Sequence, residues 1–138
     1  MKKPQTRVIL FVLVCTTASL SCRESSRDDH FARSFINRVY QRDTSVFSQL
    51  EPGSLLSEFA AKRLASVADR LPPPPPDSVR LVGRATLHGM DAAPSVSRKL
   101  TYLIYGASRE TRVDLWLVSE NRRTYVYEVQ ATQTAPAH

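Results

Sequence analysis

The residues of this chain with chemistry to offer are scattered rather than grouped. Asp114 stands mid-run in "TRVDLWLVS", on the same alternating face as Trp116. A carboxyl buried beside an aromatic ring holds its proton more tightly and can serve as a general acid or base. His88, near Asp91, is a second candidate for acid–base work. The plainer reading places Asp114 on an outer face, meeting solvent or a cross-strand Arg or Lys, and leaves His88 a solvated loop neighbour.

Metal and cofactor chemistry find less support. The histidines are His30, His88 and His138, none with a second His or Cys at ligand spacing, whereas a zinc site takes three or four such ligands. There is no G-x-S-x-G elbow, and four glycines in the whole chain leave little room for a phosphate-cradling loop. No cofactor and no metal are expected. For binding, Arg80 and Arg84 fall with His88 on one face of an alternating run, a basic row with about 6.5 Å per step. Such a row suits anionic lipid, peptidoglycan or an acidic partner, or is the wet side of a sheet paired with acids. Tyr102, Tyr105, Tyr125 and Tyr127 line a pocket or simply pack, since aromatics are favoured in strands.

Four alternating runs and a helical region must position these residues. From Phe31 the apolar residues fall four apart, as Phe31, Phe35 and Val39 and as Ala32, Ile36 and Tyr40, which predicts a helix burying one stripe. Ser26 and Asp29 form a capping-box pair that would start it. Asp43 and Thr44 can cap a short second helix through Val46, Phe47 and Leu50, which Pro52-Gly53 ends. Ser54 can cap a third, in which Leu56, Phe59, Ala60, Leu64, Val67, Ala68 and Leu71 recur at helical spacing. "LPPPPPD" stops it, because proline lacks the amide a helix needs, and its five prolines form a stiff spacer to the sheet.

Period two then takes over. Val79, Leu81, Gly83, Ala85 and Leu87 alternate with Arg80, Arg84, Thr86 and His88; Leu100, Tyr102 and Ile104 with Lys99, Thr101, Leu103 and Tyr105. Val113, Leu115 and Leu117 alternate with Asp114, Trp116 and Val118; Tyr125, Tyr127, Val129 and Ala131 with Thr124, Val126, Glu128 and Gln130. Short polar links, "GASRE" and "ENRR", join the last three runs into an antiparallel meander. The expected fold class is α+β, two or three N-terminal helices packed on a four-stranded antiparallel curved meander sheet.

The N-terminus carries an address. Lys2, Lys3 and Arg7 precede an uncharged stretch from Val8 to Leu20, and Ser19 and Ser21 are small residues at signal-peptidase spacing. That stretch is too short and too polar to span a bilayer, which takes about 20 apolar residues. "ASLSC" resembles the bacterial lipoprotein signal, in which a cysteine after a small residue becomes the diacylated first residue; here Leu20 stands two before the cysteine, where leucine is usually three before. Cleavage before an unmodified Cys22 is the alternative. With Cys15 lost, the mature chain holds one cysteine and no internal disulfide. The resemblance implies an exported protein held to the membrane through a lipid at Cys22. Arg23, where inner-membrane retention would place aspartate, implies the periplasmic face of the outer membrane.

Loss of residues 1–21 removes three cations and no acid, so the formal charge falls from +6 to +3 and 117 of the 138 residues remain. That length suits one domain. A balance of +3 gives nucleic acid little support as a partner. The expected organisation is a signal peptide over 1–21, a lipidated cysteine and tether over 22–28, a domain over 29–132 and a disordered tail over 133–138.

By element order, by "YQRDTSVFSQLEP" between the first and third helices, and by the "TRVDLWLVSENRRTYVYEVQA" hairpin, the chain resembles the nuclear-transport-factor-two-like superfamily, the cystatin-like α+β cone. A smaller cystatin-like sheet-and-helix domain is the other candidate. The resemblance implies either a pocket enzyme, such as an isomerase or dehydratase, or a module without chemistry. With no catalytic cluster in view, the expected function is a non-catalytic binding or assembly module of the cell envelope, its partner an envelope protein or a small apolar ligand.

Overall fold

A computed structural model describes residues 23–88 and 96–134 of the chain. The expected signal segment, Cys22, Asp91, His138 and the side chain of His88 lie outside the described residues. The chain forms two units, Met1–His30 and Phe31–His138. In the first, residues 23–30 are helical. Ser26 therefore stands inside a helix rather than at its start, and the polar stretch expected as a tether takes helical form from residue 23.

The second unit is α+β. Residues 31–40 form α1; a 3-10 helix over Thr44–Gln49, α2 over Leu55–Glu58 and α3 over Ala60–Arg70 follow. Strands β1 (Ser78–His88), β2 (Val96–Gly106), β3 (Arg109–Glu120) and β4 (Arg123–Thr134) then make one antiparallel sheet in the order β1-β2-β3-β4. The strand runs read from the sequence are these four, with β4 reaching Thr134, two residues into the stretch expected as a tail. Gln133 and Thr134 pair with Thr111 and Glu110, and Thr134 Oγ1 donates to the Glu110 carbonyl at 2.9 Å.

Each helix end has a local cause. α1 closes with Arg42 in the left-handed region at φ 52; the Asp43 amide reaches back to the Arg38 carbonyl at 3.0 Å and the Arg42 amide to Val39 at 3.1 Å. This is the Schellman arrangement, with arginine where glycine is usual. Asp43 then caps the 3-10 helix by accepting the Ser45 amide at 2.9 Å. Ser54 caps α2 by accepting the Ser57 amide at 3.1 Å. The expected long third helix is broken at Phe59, whose ψ of 31 leaves helical geometry. Phe59 is about half exposed, outside the core.

The core joins Ala32, Phe35, Ile36 and Val39 of α1 and Leu56, Leu64 and Val67 of α2 and α3 to Leu100, Tyr102 and Ile104 of β2, Val113, Leu115 and Leu117 of β3 and Val126, Val129 and Ala131 of β4. Phe35, Leu56, Ile104 and Leu115 are completely buried, contributing about 1.5–3 kcal/mol each. The helices thus cover one face of the sheet. Arg33 ties α1 to it, lying 5.5 Å from the centre of the Tyr102 ring and donating to the Val79 carbonyl at 3.0 Å.

Alternation along β2 and β3 holds as read, but β1 and β4 each carry a bulge that a period-two pattern misses. Leu81 pairs with Tyr102 while Gly83 pairs with Thr101, so Val82 is an extra residue. Trp116 pairs with Glu128 while Leu117 pairs with Val126, so Tyr127 is another. One inserted residue reverses the facing of everything beyond it. Val126 accordingly joins the core, and Tyr125 is carried to the opposite face with Val118.

The outer edge of β4 is covered by side chains and one short bridge. Leu50 bridges Val126 in parallel and the Glu51 amide donates to the Val126 carbonyl at 2.9 Å. The Glu128 carboxylate accepts its neighbour's Val129 amide at 2.9 Å and the Arg63 guanidinium at 2.7 Å, and Arg70 donates to the Ala131 carbonyl at 2.9 Å. An edge so occupied offers few open groups for strand addition.

Candidate functional site

The sheet face away from the helices carries most of the candidate residues. Pairing sets them in rows across the strands: Arg80, Leu103, Arg112 and Thr132; then Gly83, Thr101, Asp114 and Gln130; then Ala85, Lys99, Trp116 and Glu128. Asp114 sits at the middle of this lattice and is buried, its side chain 11% exposed. The Thr101 hydroxyl donates to its Oδ1 at 2.6 Å. Arg112, two residues before it on the same face, brings Nε to 3.2 Å of Oδ2 and Nη2 to 3.4 Å of Oδ1. Lys99 Nζ stands 3.6 Å from Oδ1 and 5.0 Å from the centre of the Trp116 ring.

A general acid or base needs an approachable lone pair in a dry pocket. Asp114 instead has both oxygens committed to neighbours on a face that the helices leave open. The cross-strand cation weighed in the plainer reading is Lys99, and Arg112, on the same strand as Asp114, is a further cation that sequence alone did not assign.

The expected basic row is not formed. Arg80, opposite Leu103, lies on the open face, while Arg84 lies opposite Leu100, whose side chain belongs to the core face. The bulge at Val82 separates them, because four positions along a strand restore the same face only when no residue is inserted. Arg80 instead shares its face with Arg112 and Lys99. His88 ends β1 opposite Val96. Of the tyrosines, Tyr102 is buried in the core and Tyr105 is exposed, so the four do not gather round one pocket.

Among the described residues, two clefts lie elsewhere. One of about 260 Å³ runs between α3 and the edge of β4, with Arg63 and Arg70 beside it, both already bonded to the strand. The other, of about 220 Å³, lies between the end of α1, the 3-10 helix and α3. Val39, Val46 and Leu64 form its floor, Ala61 and Ala65 give it room, and Arg38, Arg42 and Asp43 stand among its lining residues. The Schellman turn brings the last three together. Sequence reading gave Val39, Val46 and Leu64 to separate helical stripes; the sign that they enclose a space is the pair of alanines, one helical turn apart on α3, where larger side chains would fill it.

The electrostatics around Asp43 and Glu51 differ. The Ser45 amide, then the Ser45 hydroxyl, and to a lesser degree the Arg38 charge hold the Asp43 carboxyl below its usual range. Burial, and then the charge of Glu120, raise the Glu51 carboxyl. Among the described residues no three His, Cys, Asp or Glu side chains are grouped to hold a metal ion, and no helix is long and apolar enough to cross a membrane.

Comparison with protein-family models, with curated proteins and with solved structures found no match to this chain.

Proposed function

We propose that this chain is a cell-envelope protein, held through a lipid on Cys22 to the periplasmic face of the outer membrane, whose α+β part is a cystatin-like cone that binds or assembles with another molecule and performs no chemistry. The observation that carries the non-catalytic reading is the setting of Asp114. The best acid–base candidate has its oxygens taken up by Thr101, Arg112 and Lys99. The isomerase-like alternative asks for a carboxyl facing a dry pocket, and Asp114 lines neither cleft described above. The parallel bridge of Leu50 to Val126 supports the cone reading, since it sets the segment between the helices against the sheet edge.

Two measurements test it. Tandem mass spectrometry of the N-terminal peptide from native membranes should find Cys22 first and diacylated; an unmodified cysteine removes the anchor. Native mass spectrometry of the purified chain should find a bound small molecule or a protein partner. Asp114→Asn should retain it, and loss of binding with the fold intact would return Asp114 to the functional site.

A further inference from the structure

We propose that the cleft between the end of α1, the 3-10 helix and α3 binds a small amphiphilic anion, a short acyl chain ending in a carboxylate, with Arg38 as the ligand of its headgroup. This deepens the binding-module reading and rests on it. The cleft has the two properties that such a molecule needs. Its floor is apolar, with Val39, Val46 and Leu64 all more than 90% buried, and Phe47 stands 40% exposed beside it. A cavity of roughly 150 Å³ accommodates benzene, so about 220 Å³ suits a short chain and excludes a full-length lipid.

Charge selects the headgroup. Three ionic side chains line the cleft, and two are committed. Arg42 bonds Asp69 at 2.6 Å, and the Asp43 carboxylate holds the Ser45 amide as the cap of the 3-10 helix. The Arg38 side chain makes no hydrogen bond or ion pair among the described residues, although Asp43 feels its charge. Its guanidinium therefore has donors to offer in the planar fork that suits a carboxylate. An apolar slot with one uncommitted cation at its side matches a ligand with one tail and one negative end. A neutral alcohol of the same length would fill the slot and leave the guanidinium unanswered.

The test uses the full chain in phosphatidylcholine nanodiscs, labelled at the alanine methyls and titrated with octanoate or 1-octanol. Octanoate should shift the Ala61 and Ala65 methyls saturably, about tenfold more tightly than octanol, the factor expected of one charge-assisted hydrogen bond. Arg38→Gln should bring octanoate down to the level of octanol, and Ala65→Phe should abolish both with the circular dichroism spectrum unchanged. Equal affinity for the two ligands in the unaltered chain overturns the anionic specificity. Absence of any saturable shift overturns the site, while the anchored-module reading stands or falls separately on the mass of the N-terminal peptide.

Discussion

Thr101 and Asp114 face each other across β2 and β3, and the threonine hydroxyl donates to the carboxylate at 2.6 Å. With Arg112 and Lys99 on the same anion, the group is a small, nearly buried network, in which removing one member strands the others. Asp114→Ala should destabilise the fold by about 1–3 kcal/mol, and Thr101→Val by about 1 kcal/mol. Chemical denaturation of both variants and of the double variant checks this. The double variant should lose less than the sum, since each single change already removes the shared bond.

Gly106 ends β2 where the proline segment crosses it. A Cβ there would stand 3.1 Å from Pro72 Cβ and 3.4 Å from Pro76 Cα, and the Asp77 amide donates to the Tyr105 carbonyl at 2.8 Å just beside it. Pro72 is buried while Pro73, Pro74 and Pro75 are exposed, so the proline segment packs against the sheet at its ends as well as spanning the gap from α3. Gly106→Ala should cost about 1–3 kcal/mol by overpacking, visible as a lower Tm. An unchanged Tm would mean that the proline segment yields.

Among the described residues, both hairpin turns take an unusual pair of residues. Ala107 and Ser108 have φ of 49 and 59, and Asn121 and Arg122 have 50 and 64. These two-residue loops need left-handed backbone at both positions, which favours Asn followed by Gly. Ser108→Gly and Arg122→Gly should each stabilise by roughly 1 kcal/mol, raising Tm by a few degrees.

The Tyr40 hydroxyl is buried without a hydrogen-bond partner among the described residues, and burial pushes its pKa up to about 12. The folded state therefore binds this proton more tightly than the unfolded state. The stability it lends is fully present below the ordinary tyrosine value of about 10 and is lost as pH rises through 12. In a spectrophotometric titration Tyr40 should ionise near pH 12, and Tyr40→Phe should remove that step. The same substitution, which takes away an unsatisfied polar atom, should leave stability at pH 7 unchanged or raised.

The α+β class, the four strand runs, the stripe of α1 and the caps at Asp43 and Ser54 could all be read from residue order, because each is a local preference. Apolar residues four apart or two apart face one way whatever lies beyond, and a cap bonds amides two or three residues on. The bulges at Val82 and Tyr127 could not be read, for nothing in "RLVGR" or "YVYEV" states which residue its partner strand will pass over. That depends on a register set across the sheet, and it decided that Arg80 and Arg84 part company and that Val126 enters the core. The same reason governs the site. Asp114 was legible as a mid-strand carboxylate, but its partners come from β2 as well as β3. The cleft beside Arg38 exists only where three helices leave a gap that none of them contains alone.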